Sequence, residues 1–359
     1  MYALTPYPIT PIACFLGVVL ALLPLLSHIR KFSLGVWGFA LWTAIANFIM
    51  FVNTIIWHDN VGNTAPVWCD ITTKLQMGAG VGMTASSFVI SLRLYKVTNR
   101  RTSVETRVQR RKAISHDILL MIGLPFVLMG LTEFVQPVRF EIMEEIGCSQ
   151  IFYSYLGYAI GYAPVVILNL LCLTLAPLTS RAFFRHRKEM NEFLSSGEGS
   201  ITRSKYIRFM VMAYMDSVLN LPATIGLVVM NIALGKESPL NYPYISWKNV
   251  HEGAGGNMPG LSLSSVIQMP ASEWSNNAMD LASVKWNEWF HVVIAIVFFA
   301  IFGTTPEMRR YYRSAFWFIP ERLGYKKRRT SESETISDMA FDSHPNPNPP
   351  EDPNSQSNE

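Results

Sequence analysis

Seven apolar stretches of near-bilayer length divide this chain, and no other feature restricts its fold as much. They cover residues 10–29, 34–57, 67–95, 118–135, 151–175, 209–234 and 282–305, with short polar segments between most of them. A hydrocarbon core about 30 Å thick takes about 20 helical residues to cross. Inside it each backbone polar group must be satisfied within the spanning structure, which a helix achieves alone. The pattern predicts an all-α integral membrane protein, a seven-transmembrane helix bundle. Half of the residues are hydrophobic and 16% are charged, a balance foreign to a soluble protein of this length. The seventh stretch is the weakest, because Lys285 and Glu288 interrupt its first turns.

Charge sets the orientation. Of the 30 Lys and Arg, all but Lys74, Arg139, Lys236, Lys248 and Lys285 follow, or lie in the last turn of, the first, third, fifth or seventh stretch. The positive-inside rule places those segments in the cytoplasm, with the N-terminus outside and the C-terminus cytoplasmic. The basic balance is thus explained by topology and gives no reason to expect nucleic acid as a partner. No basic segment precedes the first stretch, so a cleaved signal peptide is not expected.

The inner segments have the chemistry of a docking face. Residues 98–115 are basic and read as an extension of the third helix. Residues 181–205 are short, with a flexible Ser/Gly patch over 195–200. After Pro306, the apolar Met308, Tyr311, Tyr312, Ala315, Phe316 and Ile319 alternate with Arg309, Arg310 and Arg313. Residues 306–329 therefore read as an amphipathic basic helix on the inner leaflet. Membrane lipid of negative charge would hold such a face without any protein partner. Residues 330–359 read as a disordered tail whose Thr330, Ser331, Ser333, Thr335 and Ser337 could accept phosphate.

On the outer side, Cys69 opens the third stretch and Cys148 closes the loop before the fifth. Disulfides persist in that compartment, and a Cys69–Cys148 bond is expected, although spacing alone does not establish connectivity. Cys14 and Cys172 lie within stretches and read as packing residues. The long segment 235–281 carries Trp247, His251, Trp274 and a glycine-rich run over 253–260. That run lacks the Lys-Ser/Thr of a phosphate loop, and His251-Glu252 lacks the second His of a zinc protease. No catalytic or metal constellation and no cofactor motif is found, so an enzyme is not expected.

Charges inside the stretches cost free energy unless they are paired. Lys74 and Glu133 lie near the outer ends of the third and fourth stretches, where snorkelling and pocket lining are equally good readings. Asp216 is deeper and needs a partner, with Arg93 or Lys96 the natural candidates for a pair that biases an inactive state. Pro125, Pro164 and Pro222 are expected to kink their helices. Phe152, Tyr153, Tyr155, Tyr158 and Tyr162 cluster at the outer end of the fifth stretch, as an interfacial belt or as the wall of an apolar pocket.

The run VWCDITTKLQMGAGVG over 67–82, followed by SLRLYK over 91–96, resembles the third span of the fungal lipopeptide (a-factor-type) mating pheromone receptors, which are class D G-protein-coupled receptors. VQPVRFEIMEEIGC over 135–148 is similar to their second outer loop, and ISWKNVH over 245–251 with PASEW over 270–274 to their third. The similarity extends to about Arg313, while residues 254–268 look longer than the corresponding family segment. The resemblance implies a plasma-membrane receptor that binds a farnesylated peptide pheromone outside and activates a heterotrimeric G protein inside. Candidate pocket residues are Lys74, Gln76, Tyr153, Tyr158, Tyr162, Trp247, His251 and Trp274. Candidates for the G-protein face are Arg93, Arg101, Arg111, Arg203 and Arg208, with Asp216 as a switch. The alternatives are a seven-span transporter and a receptor for another small apolar ligand. Internal repeats and paired broken helices, which would favour a transporter, are not seen. A retinal protein would need a lysine deep in the last helix, where 289–304 has none. A homo-oligomer is compatible with the sequence.

Overall fold

A computed structural model describes residues 4–26, 33–99, 106–185, 203–234, 242–256, 258–305 and 308–313. The end of the first stretch (27–29), the Ser/Gly patch, Arg101, most of the juxtamembrane helix and the tail lie outside them. The chain divides at Arg309, and of the short unit beyond it residues 310–313 are described and are helical.

The main unit is built from α1 (Ile9–Leu22), α2 (Leu34–Ile56), α3 (Pro66–Asn99), α4 (Arg107–Val135), α5 (Ala163–Arg185), α6 (Arg203–Leu234) and α7 (Ala278–Phe302). The helices from α2 to α7 are each long and apolar enough to cross a membrane; α1, continued by a 3-10 turn over Leu23–Leu26, is shorter. The protein is thus a multi-pass membrane protein. α3 is its axis, packed against α2, α4, α5 and α6, while α1 and α7 close the ring beside α2. In its most apolar stretch 67% of α3 is buried, against 28% for α4 and for α5. The outer faces of those two helices present Leu119, Phe126, Val127, Ile167, Leu170 and Leu171, an apolar surface suited to lipid rather than water.

Local chemistry fixes the helix ends. Ser33 caps α2 by accepting from the Val36 amide, and Asn277 caps α7 by accepting from Met279. Thr106 and Gln109 form a reciprocal capping box, so helix begins anew at Arg107. This corrects one expectation: basic residues 107–115 extend the fourth helix, not the third. Pro125 cannot donate to the carbonyl four residues earlier, and the backbone widens into a π turn over Leu119–Gly123. The carbonyl left free there, that of Met121, accepts from Trp42 Nε1 of α2 at 3.0 Å. Pro164 does not kink a span. The fifth stretch breaks at Tyr162, after a short helix over Tyr155–Gly161, and Pro164 sits in the first turn of α5.

The structure is mostly rather than wholly helical. A three-stranded sheet of β1 (Phe140–Met143), β2 (Gly147–Ser149) and β3 (Val266–Met269) lies at one end of the bundle. β1 pairs antiparallel with β2, Ile142 facing Cys148, and parallel with β3, Ile142 facing Gln268. Part of the glycine-rich outer segment therefore ends as a strand. Gly147 has φ +74°, and a Cβ there would meet the side chains of Trp57 and Asn53 within 3 Å, so the tight turn requires glycine.

Candidate functional site

The sheet end is cross-linked at every level. Cys69, in the first turn of α3, is disulfide-bonded to Cys148 of β2 across 79 residues, with Cα atoms 5.4 Å apart. Both cysteines are buried with Trp57, Phe140 and Ile142. Asn53 of α2 joins three segments: it donates to Ile146 O at 3.0 Å and accepts from Trp68 Nε1 of α3 at 2.8 Å. Gln76 of α3 donates to Cys148 O at 3.0 Å.

Beside the staple lies an open cleft of about 530 Å³, walled by Asp70, Thr73 and Lys74 of α3, by Glu133, Gln136 and Arg139, and by Leu263 and Ser264. Two ion pairs cross it: Lys74 Nζ with Glu133 at 3.0 Å, and Arg139 Nε with Asp70 at 2.8 Å. Lys74 also donates to Thr132 Oγ1 at 3.1 Å, so its ammonium is held in the wall rather than snorkelling free. The Asp70 carboxylate beside it raises the Arg139 guanidinium above its ordinary value.

The aromatic candidates gather in separate places. Trp247 stacks on His251 at 4.0 Å, and His251 presents one ring nitrogen to Trp247 O at 2.8 Å and the other to Glu133 O at 3.0 Å. Lys74 and His251 thus meet at Glu133, one on its side chain and one on its backbone. Tyr153 is buried and stacked on Tyr242, while Tyr158 stacks on Tyr162. Trp274 belongs elsewhere, packed with Cys14, Met50, Ile146 and Val284 on the α1, α2 and α7 side. It does not share a wall with Trp247 and His251.

A second polar node at this end was not singled out from the sequence. Lys285 of α7 donates to Thr5 Oγ1 at 2.8 Å and to Glu145 and Glu288 at 2.7 Å each. Thr10 of α1 donates to the other oxygen of Glu288. Glu145 is at the hairpin tip with φ 76°, a left-handed conformation that is strained for a non-glycine residue. Burial holds its carboxyl above the ordinary carboxylate range, and the Lys285 ammonium opposes that rise. The signal in the sequence was the i,i+3 pairing of opposite charges in the first turns of a span.

The opposite end is tethered by single contacts. Arg93 of α3 pairs with Asp117 of α4, Nε to Oδ2 at 2.6 Å, and not with Asp216. The reason is reach: the N-terminal extension of α4 brings Asp117 beside the C-terminal turns of α3. Thr98 of α3 hydrogen-bonds the Tyr206 hydroxyl of α6. Arg208 of α6 donates to Ile301 O of α7 and, at 3.3 Å, to Thr304 Oγ1. Arg111 is exposed, and of Arg203 only the helical backbone is described.

Residues 9–324 match the sequence profile of a family described as Pheromone A receptor. The chain is 33% identical over 323 residues to the Pheromone B alpha 3 receptor of Schizophyllum commune, covering 90% of this chain and 49% of that protein. To Pheromone receptor 1 of Mycosarcoma maydis it is 27% identical, over 86% of this chain and 83% of the other. To the Pheromone a factor receptor of Saccharomyces cerevisiae it is 21% identical, over 83% and 59%. The chain spans about half the length of the Schizophyllum relatives it matches. A family match that runs across all seven helices settles the membership: this chain belongs to the pheromone A receptor family.

Proposed function

We propose that this protein is a seven-span G-protein-coupled receptor of the plasma membrane, activated by a farnesylated peptide pheromone. The family match over residues 9–324 carries the reading. In it, α1 completes the seventh crossing, the sheet end faces outside and the basic end faces the cytoplasm, a reading that the charge asymmetry supports. The peptide meets the cleft between Lys74, Arg139 and Ser264, while the aromatic groups around Tyr153, Tyr158, Tyr162 and Trp247 offer apolar surface to the lipid. Gln76 supports the staple behind that cleft. Ligand need only bind better to an arrangement in which the basic ends of α3, α5 and α6 are parted. A heterotrimeric G protein then docks against Arg93, Arg101, Arg111, Arg203 and Arg208.

The test is G-protein signalling from this chain in yeast lacking its own receptor of the type, challenged with farnesylated peptides and their unprenylated versions. A response that requires the lipid supports the proposal. A surface-expressed protein that answers none of a broad panel, or that accumulates a labelled solute without a G protein, overturns it.

A further inference from the structure

The bundle buries a carboxylate that no cation among the described residues neutralises. Asp216, near the middle of α6, is 3% exposed and makes no ion pair among the described residues. Arg93 is committed to Asp117, and Lys96 is exposed. Asp216 Oδ2 has no hydrogen-bond partner. Facing it from α3 is Ser87, fully buried, whose hydroxyl stands beside the carboxylate but is likewise without a partner in hydrogen-bonding geometry. On α5, Cys172 lies within range of the Asp216 charge. One turn away on that helix Asn169 is fully buried with neither amide atom satisfied. Thr179, further along α5, has an orphaned hydroxyl too, and borders a cavity of about 10 Å³ with Ser91 and Ala213. That is room for about one water.

These orphans contrast with the next polar layer between α3 and α6. There Asn220 donates to Thr84 at 3.0 Å and Thr224 donates to Asn220 at 3.2 Å, so the groups satisfy one another. Buried polar atoms are almost always paired with protein, water or ion, and an unpaired charge in a membrane interior is the costliest exception. We infer that α3, α5 and α6 hold a monovalent cation between them, bound to Asp216 and Ser87 and completed by water. The donors are a carboxylate and a hydroxyl, hard ligands that suit an alkali or alkaline-earth ion rather than a soft transition metal. A single carboxylate balances one positive charge, which favours a monovalent ion over calcium or magnesium, and sodium is the probe used to test it. The cation ties α6 to α3, two of the helices whose basic ends part in the function proposed above, so it stabilises the resting arrangement. This site stands on the packing of the bundle and is independent of which pheromone the receptor takes.

The experiment is thermal unfolding of the purified full chain in detergent at fixed ionic strength, with sodium replaced by potassium or by N-methyl-D-glucamine. The expected result is a saturable rise of several degrees in Tm that is specific to sodium and lost in Asp216→Asn. Ser87→Ala should raise the half-saturating sodium concentration several-fold, and this arm serves also where Asp216→Asn does not fold. A Tm independent of cation identity overturns the inference and leaves the carboxyl neutralised by a proton. So does a sodium response unchanged in Ser87→Ala or Asp216→Asn.

Discussion

The sheet end and the basic end of the same helices are held by different kinds of bonding. At the sheet end a disulfide, paired strands and two ion-pair nodes join segments far apart in sequence. At the basic end α3 is joined to α4 by one ion pair, α3 to α6 by one hydroxyl contact, and α6 to α7 by one arginine among the polar contacts described. The proposed receptor function would use this asymmetry: the sheet end would keep its shape for ligand, and the basic end has contacts few enough to break. Under that proposal, the part that moves is drawn from the weakly held side, where local stability is lowest.

Removing the staple should blur the contrast most. Closing a loop of 79 residues is worth about 4–5 kcal/mol in the chain-entropy account. Cys69→Ser should therefore lower Tm in detergent by many degrees and reduce the amount reaching the cell surface. A melting temperature near that of the parent would mean that strand pairing and Asn53 hold the hairpin unaided.

Next in size is the Lys285 node. Lys285→Met strands the carboxylates of Glu145 and Glu288, which are 9% and 1% exposed. Breaking a buried pair by deleting one partner costs about 3–5 kcal/mol. The paired change Lys285→Met with Glu288→Gln should recover part of the loss. A double variant no more stable than the single one would show that Glu145, not Glu288, carries the node.

The bundle was legible in the sequence because hydrophobic length is a one-dimensional signal, and so is the sidedness of Lys and Arg. Compartment and position made a Cys69–Cys148 bond the expectation, and the packing of β2 against α3 supplies the connectivity that spacing could not. What escaped depended on where a helix starts and which way a side chain points. The Thr106 capping box was visible as residues but was masked by basic residues scattered on both sides of it, so 107–115 read as part of the third helix. That displacement hid Asp117, and with it the partner of Arg93. Trp274 and Trp247 are both outer-segment tryptophans, yet they pack on different sides of the mouth, which no local pattern encodes. The sheet was missed because β1 and β3 are four residues each and pair across more than a hundred residues of chain.

At the basic end, Tyr206→Phe deletes the hydroxyl contact to Thr98 while leaving the buried ring. The cost should be about 1 kcal/mol. That is small for stability, but it falls on a contact that holds α3 to α6. Basal signalling without pheromone should rise, read as reporter output in yeast at matched surface expression. Basal output equal to the parent would place the restraint on α6 elsewhere, with Arg208→Gln the next variant to measure.

The smallest effect sharpens the comparison from the sheet side. Burial raises the Glu141 carboxyl on β1 above its ordinary value, and the Ser149 hydroxyl at 3.2 Å only partly offsets this. A carboxyl raised on folding binds more protons in the native than in the unfolded state, so its contribution is full below the unfolded value. That contribution is lost as pH rises from the ordinary carboxylate range through the raised value. Glu141→Gln keeps the shape and removes the titration, and should flatten the decline of Tm across that window. Because Glu141 lies outside the spans, the flattening should persist when the basic end is altered by Tyr206→Phe. If the two changes were not additive, the ends of the bundle would be energetically coupled through α3 even without ligand.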